Sequence, residues 1–103
     1  MKSYNLKQLS SIINGTLIGE NNQIIEQVFF DSRMIINPDN GIFFALHGNQ
    51  KDGHQYILDA YQKGIRNFVV EKKVENLPHA NFIEVESPLL ALQLWAKNHR
   101  SQF

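Results

Sequence analysis

The sequence contains no cysteine. Disulfides, thiolate zinc sites and cysteine nucleophiles are thereby excluded, and the chain fits a reducing compartment, with the cytoplasm as the expected location. No apolar run approaches the ~20 residues that a membrane-spanning helix needs. The start, Met1-Lys2-Ser3-Tyr4-Asn5, leads into an amphipathic segment rather than the apolar stretch of a signal peptide. Net charge is missing too, because 10 Lys and Arg balance 10 Asp and Glu. A neutral chain gives no electrostatic footing to nucleic acid or to an anionic membrane, so neither is expected as a partner. There is no repeat, no low-complexity tract and no Ser/Gly linker, and the three prolines are scattered.

Catalytic signatures are equally scarce. No two of His47, His54, His79 and His99 have the i, i+4 spacing of a helical zinc pair. Ser10, Ser32 and Ser87 lack the Gly-x-Ser-x-Gly elbow of a serine hydrolase. Gly48 and Gly53 have the glycine spacing of a phosphate-binding loop, but His54 and Gln55 stand where Lys and Ser/Thr are required. No catalytic residue and no metal ligand is therefore assigned.

What is present is enough for one domain with a core: 103 residues, 43% of them hydrophobic. Leu6, Leu9, Ile12 and Ile13 share a helix face, Asn5 and Gln8 form a capping-box pair, and Asn14-Gly15 supplies a stop with glycine expected in the left-handed position. Thr16-Leu17-Ile18 reads as a short strand and Ile24 to Phe30 as a second one. Pro38-Asp39-Asn40-Gly41 is a turn. Ile42-Phe43-Phe44-Ala45-Leu46 is apolar throughout, as in a strand buried on both faces. Asp52 and Gln55 again have capping-box spacing, and a helix carrying Ile57, Ala60 and Tyr61 runs to a stop at Gly64. Phe68-Val69-Val70 completes a strand–helix–strand unit over 42–70, with parallel pairing and a right-handed crossover expected. Phe82 to Val85 is a further strand. Ser87 then caps a helix with Pro88 at its first position. That last helix is apolar almost all round, which fits either a place deep in the core or cover by a neighbouring domain. The fold class is α/β, a small mixed sheet flanked by helices.

Two polar segments leave the ends of apolar strands, Asp31-Ser32-Arg33 and His47 to His54. In α/β sheets ligands bind outside the carboxyl ends of strands. If the two strands run parallel as neighbours, both loops can hold one ligand. Asp31, Ser32 and Arg33 offer an acceptor, a hydroxyl and a fork of donors, and Asn49 and Gln50 offer amides. The alternative is structural: Asp31 caps a turn and Arg33 pairs with it.

Phe30-Asp31-Ser32-Arg33, then Pro38 and Gly41, then the run from Ile42 to His54, resemble the N-terminal domain of Mur ligases, the ATP-dependent amino-acid ligases of bacterial peptidoglycan synthesis. Leu6 to Gly15 followed by Leu17-Ile18-Gly19 is most similar to the MurF branch, which adds D-alanyl-D-alanine to UDP-N-acetylmuramoyl-tripeptide; the MurE branch, which adds the third amino acid, is the alternative. Arg66 to Val70 and the ending His99 to Phe103 are similar to bacterial forms in which an alanine racemase follows the ligase. The resemblance implies that residues 1–103 are the domain holding the UDP part of a UDP-N-acetylmuramoyl-peptide. It implies contacts from Phe30 and Ser32 in one loop and from Asn49, Gln50 and Lys51 in the other, with Asp31, Arg33 and Asp52 supporting the loops. Asn49 stands where the MurE branch often has histidine, and Lys51 where it has a small residue. By the same resemblance a central ATPase domain, as partner in the same chain, uses ATP and Mg²⁺. Pyridoxal phosphate enters only with a fused racemase, and the 1–103 domain alone needs no cofactor and is inactive. A stand-alone binding or regulatory module with the same small fold is the reading from a different class.

Overall fold

In the computed structural model, residues 4–19, 23–46, 51–72, 74 and 77–100 are described; for 32, 51–54, 99 and 100 the description is of the backbone alone. Strand β1 (Tyr4–Asn5) runs directly into helix α1 (Leu6–Ile12). The predicted capping box is present: the Gln8 amide donates to Asn5 Oδ1 at 2.8 Å, and the Asn5 amide donates to Gln8 Oε1 at 3.0 Å. The stop differs from expectation, since Asn14 rather than Gly15 takes the left-handed conformation, with φ 57°. Asparagine tolerates that region. Gly15 is needed for space instead, because a Cβ there would collide with Ile83.

The stretch read as one strand from Ile24 to Phe30 is two. Strand β3 (Ile24–Ile25) pairs antiparallel with β1, whereas β4 (Gln27–Phe29) joins the main sheet. Between them the Glu26 amide donates to the Asn40 carbonyl at 2.8 Å, which turns the chain from one partner to the other. Alternation of apolar residues survives such a change of partner, so the pattern alone does not expose the break.

Among the described residues the main sheet has five strands in the order β2 (Thr16–Ile18), β7 (Asn81–Glu84), β6 (Asn67–Val70), β5 (Gly41–Phe44), β4. Strands β4, β5, β6 and β7 are mutually parallel, and β2 lies antiparallel on β7. The sheet is thus mixed, as expected of the α/β fold class. Helix α2 (Lys51–Gln62) joins β5 to β6, and helix α3 (Pro88–Arg100) follows β7.

Residues alternate between two cores. Ile42, Phe44, Val69 and Ile83 face α1 and α3, where they meet Leu6, Leu9 and Ala91. Phe43, Phe68, Val70 and Phe82 face α2 and meet Ile57 and Ala60. On that second face the rings of Phe68 and Phe82 stack at 5.6 Å across adjacent strands, and Phe43 meets Phe68 edge-on at 6.4 Å. At the amino ends of the strands, buried Asn67 and Asn81 satisfy each other: Asn81 Nδ2 donates to Asn67 Oδ1 at 3.0 Å, and Asn67 Nδ2 donates to the Gly41 carbonyl at 3.2 Å. Gly64 ends α2 with φ 111°, a conformation open to glycine.

Phe44 is fully buried and Ile57 is 7% exposed, as expected for the strand–helix–strand unit. Truncating Phe44 to alanine leaves a cavity between the sheet and α1. Phe44→Ala is expected to cost about 3–5 kcal/mol, read as a lowered urea midpoint with an unchanged m-value. A cost below 1 kcal/mol would contradict the placement of this ring in the core.

Candidate ligand site

The pairing of β4 with β5 aligns Gln27 with Gly41, Val28 with Ile42 and Phe29 with Phe43. Both chains therefore leave the sheet side by side at the carboxyl edge, one at Phe30 and the other at Ala45. The condition set by the sequence, parallel neighbours, is met. Parallel strands ordinarily need a long crossover, often helical; here residues 30–40 suffice. They open with a short 3-10 turn, Ser32–Met34, packed against α2, and they bury Ile35 in the α2-side core. The return is pinned at the amino end of β4. Gln27 Nε2 donates to the carbonyls of Asn37 and Asp39 at 3.2 and 2.6 Å, and Asn40 Nδ2 donates to Glu26 Oε1 at 2.7 Å. Gly41 is required at this point. A Cβ there would lie 2.8 Å from the Phe29 ring and 3.0 Å from Ile65 Cδ1.

The turn after Phe30 is built on one carboxylate. The Arg33 amide donates to Asp31 Oδ1 at 3.0 Å, Arg33 Nε donates to the same oxygen at 3.1 Å, and Nη2 donates to Oδ2 at 2.7 Å. The Met34 amide donates to the Asp31 carbonyl at 3.0 Å. This is a bidentate clamp closed over an Asx-type turn. It realises the structural alternative for Asp31. The Arg33 side chain is nonetheless 84% exposed, and the N–H groups it does not spend on Asp31 stay accessible to an anion. The hydrogen bonds that Arg33 donates to Asp31, followed by the charge of that carboxylate, raise the pKa of the Arg33 guanidinium above its ordinary value, so Arg33 stays cationic. Tyr56, half-buried on α2, acts electrostatically on the same guanidinium. Sequence reading passed over Tyr56. Its signal was its position, one turn into the helix that follows the second loop.

The remaining candidates divide as follows. Phe30 stands at the end of β4, 45% exposed. Ser32 begins the 3-10 turn, and Lys51 begins α2, both described by backbone alone. Asn49 and Gln50 lie outside the described residues. Asp52 requires a correction: α2 already includes Lys51, so Asp52 is inside the helix rather than its cap. The capping-box spacing placed the first helical residue at Gly53, two residues after Lys51, because an acidic residue suits the first turn of a helix as well as the cap.

The arrangement suits an anionic ligand with a polar head. It presents an exposed guanidinium, an exposed aromatic ring, and a helix start facing the same edge. No Lys-Ser/Thr follows the Gly48–Gly53 spacing, and among the described residues no group of three or more His, Asp or Glu could hold a metal. Among the described residues no helix is long and apolar enough to cross a membrane.

The chain is 37% identical over 92 residues to the UDP-N-acetylmuramoyl-tripeptide–D-alanyl-D-alanine ligase of Buchnera aphidicola, covering 89% of this chain and 19% of that protein. It is likewise 37% identical over 98 residues to the UDP-N-acetylmuramoyl-L-alanyl-D-glutamate–2,6-diaminopimelate ligase of Clostridium tetani, covering 91% and 19%. The solved MurF ligase of Acinetobacter baumannii superposes with a TM-score of 0.82 at 21% identity, over 99% of this chain and 22% of that one. The chain spans about a fifth of the length of these relatives. No family model matches it.

The clamp makes a local prediction. In Asp31→Ala the turn loses three donors' worth of anchoring, so the Arg33 and Met34 amides should exchange with solvent faster while the Phe43 and Phe44 amides keep their protection. Unchanged exchange at Arg33 and Met34 would show that the carboxylate does not hold the turn.

Proposed function

As the chain belongs to the Mur ligase N-terminal domain family, we propose that it recognises the UDP part of UDP-N-acetylmuramoyl-tripeptide for an ATP-dependent, cytoplasmic ligase that adds D-alanyl-D-alanine. The observation that carries the reading is the juxtaposition of the carboxyl ends of parallel neighbours β4 and β5, from which both polar segments depart, in a chain whose relatives are named for UDP-linked muramoyl peptides. Residues 1–103 form one domain of the ligase. Phe30, Ser32, Asn49, Gln50 and Lys51 supply the contacts, and Arg33 adds an exposed cation beside them. A diphosphate needs donors, and the backbone N–H groups at the start of α2, which a ligand reaches from the same edge, are of the right kind.

The domain's share of catalysis is positional. Holding the uridine end lets a distant carboxylate meet ATP in another domain, so remote binding energy is spent on orientation. ATP and Mg²⁺ belong to that other domain. The relatives are named as ligases alone, and a racemase with its pyridoxal phosphate forms no part of the proposal.

MurF is favoured over MurE because the first relative above and the superposed structures are of that type. The MurE reading, addition of the third amino acid, draws on the equally identical clostridial relative. The two predict the same UDP contacts and differ in the peptide.

The test is calorimetric titration of UDP and of UDP-N-acetylmuramoyl-tripeptide into the purified chain, wild type and Ser32→Ala. Both ligands should bind the wild type. The variant should bind about 10–150-fold more weakly, the effect of ~1.5–3 kcal/mol for a hydrogen bond to a charged group. Equal affinity for wild type and variant would remove Ser32 from the site, and no heat with either ligand would overturn the reading.

A further inference from the structure

Helix α3 packs only one side against the sheet. Ala91 is buried and Leu92 and Trp95 are half-buried against the α1-side core, but Leu89, Leu90 and Leu94 are 52%, 59% and 39% exposed. The apolar surround of this helix is therefore not explained by a deep core position. Ser87 caps it properly, its Oγ accepting from the Leu90 amide at 3.2 Å, so the helix is not displaced or frayed at this end. Leu90 and Leu94, one turn apart, form one wall of a groove of about 400 Å³. Its floor and far wall are Ile13 and Asn14 at the end of α1 and Val85, Glu86 and Ser87 after β7.

Strand β7 is parallel to β4 and β5. The groove after β7 therefore opens at the same carboxyl edge as the candidate ligand loops. It lies two to three strand spacings away, roughly 10–14 Å, on the α1/α3 face rather than the α2 face.

From this geometry we propose that the groove and the exposed leucines of α3 seat the domain that follows in the ligase chain, through an apolar side-chain contact. The inference rests on the N-terminal-domain reading above. Two observations choose this occupant. The relatives are about five times the length of this chain, and on the N-terminal-domain reading the rest of the ligase joins through α3, the helix that bears the apolar face. The face is also small. A free-standing interface uses about 20–30 residues a side, far more than three half-exposed leucines and a short groove. A tethered neighbour needs much less, because the linker supplies an effective concentration in the millimolar range. A following domain seated here stands beside the edge from which the substrate's distal end projects, which is where an acceptor of that end has to be.

Hydrogen exchange on two polypeptides tests this: residues 1–103, and the product of the whole reading frame. Backbone amides of 86–96 should exchange at least about tenfold more slowly in the longer polypeptide, which corresponds to ~1.4 kcal/mol of docking. Leu90→Glu with Leu94→Glu should abolish the added protection without changing UDP binding. Both side chains are exposed, and the milder Leu90→Ser with Leu94→Ser pair serves if the charged pair does not fold. Equal protection in the two polypeptides, a reading frame that stops after Phe103, or protection in 1–103 that rises with its own concentration would each overturn the proposal, the last by identifying a second copy as the occupant. Retained UDP binding without added protection removes the docking surface alone. Added protection without UDP binding removes the recognition reading alone.

Discussion

Parallel pairing of Gln27–Phe29 with Gly41–Phe43 is the constraint on which the candidate site depends. It sets the two strand ends from which the polar segments leave side by side at one edge of the sheet, and it does so with a connection shorter than parallel strands usually require. That economy has visible supports. Gly41 gives up a side chain so that Phe29 and Ile65 can close over it, and the Gln27 amide ties down the returning backbone at Asn37 and Asp39. Ile35 then anchors the crossover in the α2-side core, which leaves Phe30, Arg33 and Met34 to face outward.

The buried strands make this edge rigid. Strand β5 contributes Ile42 and Phe44 to one core and Phe43, with Ala45 just after the strand, to the other, all at 5% exposure or less. A strand clamped between two hydrophobic layers cannot shift register without moving every side chain to the wrong face. A ligand held at its end is therefore held against a fixed frame, while the Asp31–Arg33 clamp fixes the adjoining turn. On the proposed function, rigid placement of the substrate is what the domain has to supply.

Much of this was legible in the sequence, because local chemistry and burial agree there. The Asn5–Gln8 capping box, the wholly apolar β5 and the Ser87-Pro88 helix start each carry their own signal. What was not legible depends on partners far away in the chain. The division of 24–30 into two strands follows from where β1 and β5 lie, and the need for glycine at position 15 follows from the approach of Ile83, while the left-handed turn falls on Asn14. Asn67 and Asn81 stand just before the strands read from the sequence, yet both belong to the strands and are buried, because each finds the other across the β6–β7 pair. In the site, the loops and the Asp31–Arg33 pairing were readable from composition, whereas Tyr56 enters only through the packing of the 3-10 turn on α2. The exposed side of α3 was visible as an apolar excess, but which leucines face outward depends on where the sheet takes up Ala91.

The most direct test of the account is the location of the uracil ring. Intermolecular nuclear Overhauser effects from the uracil H5 and H6 protons of bound UDP should reach residues 30–34 and 47–56, the two loops at the carboxyl edge of β4 and β5. Contacts confined to the opposite edge, around Gly41, Asn67 and Asn81, would contradict it.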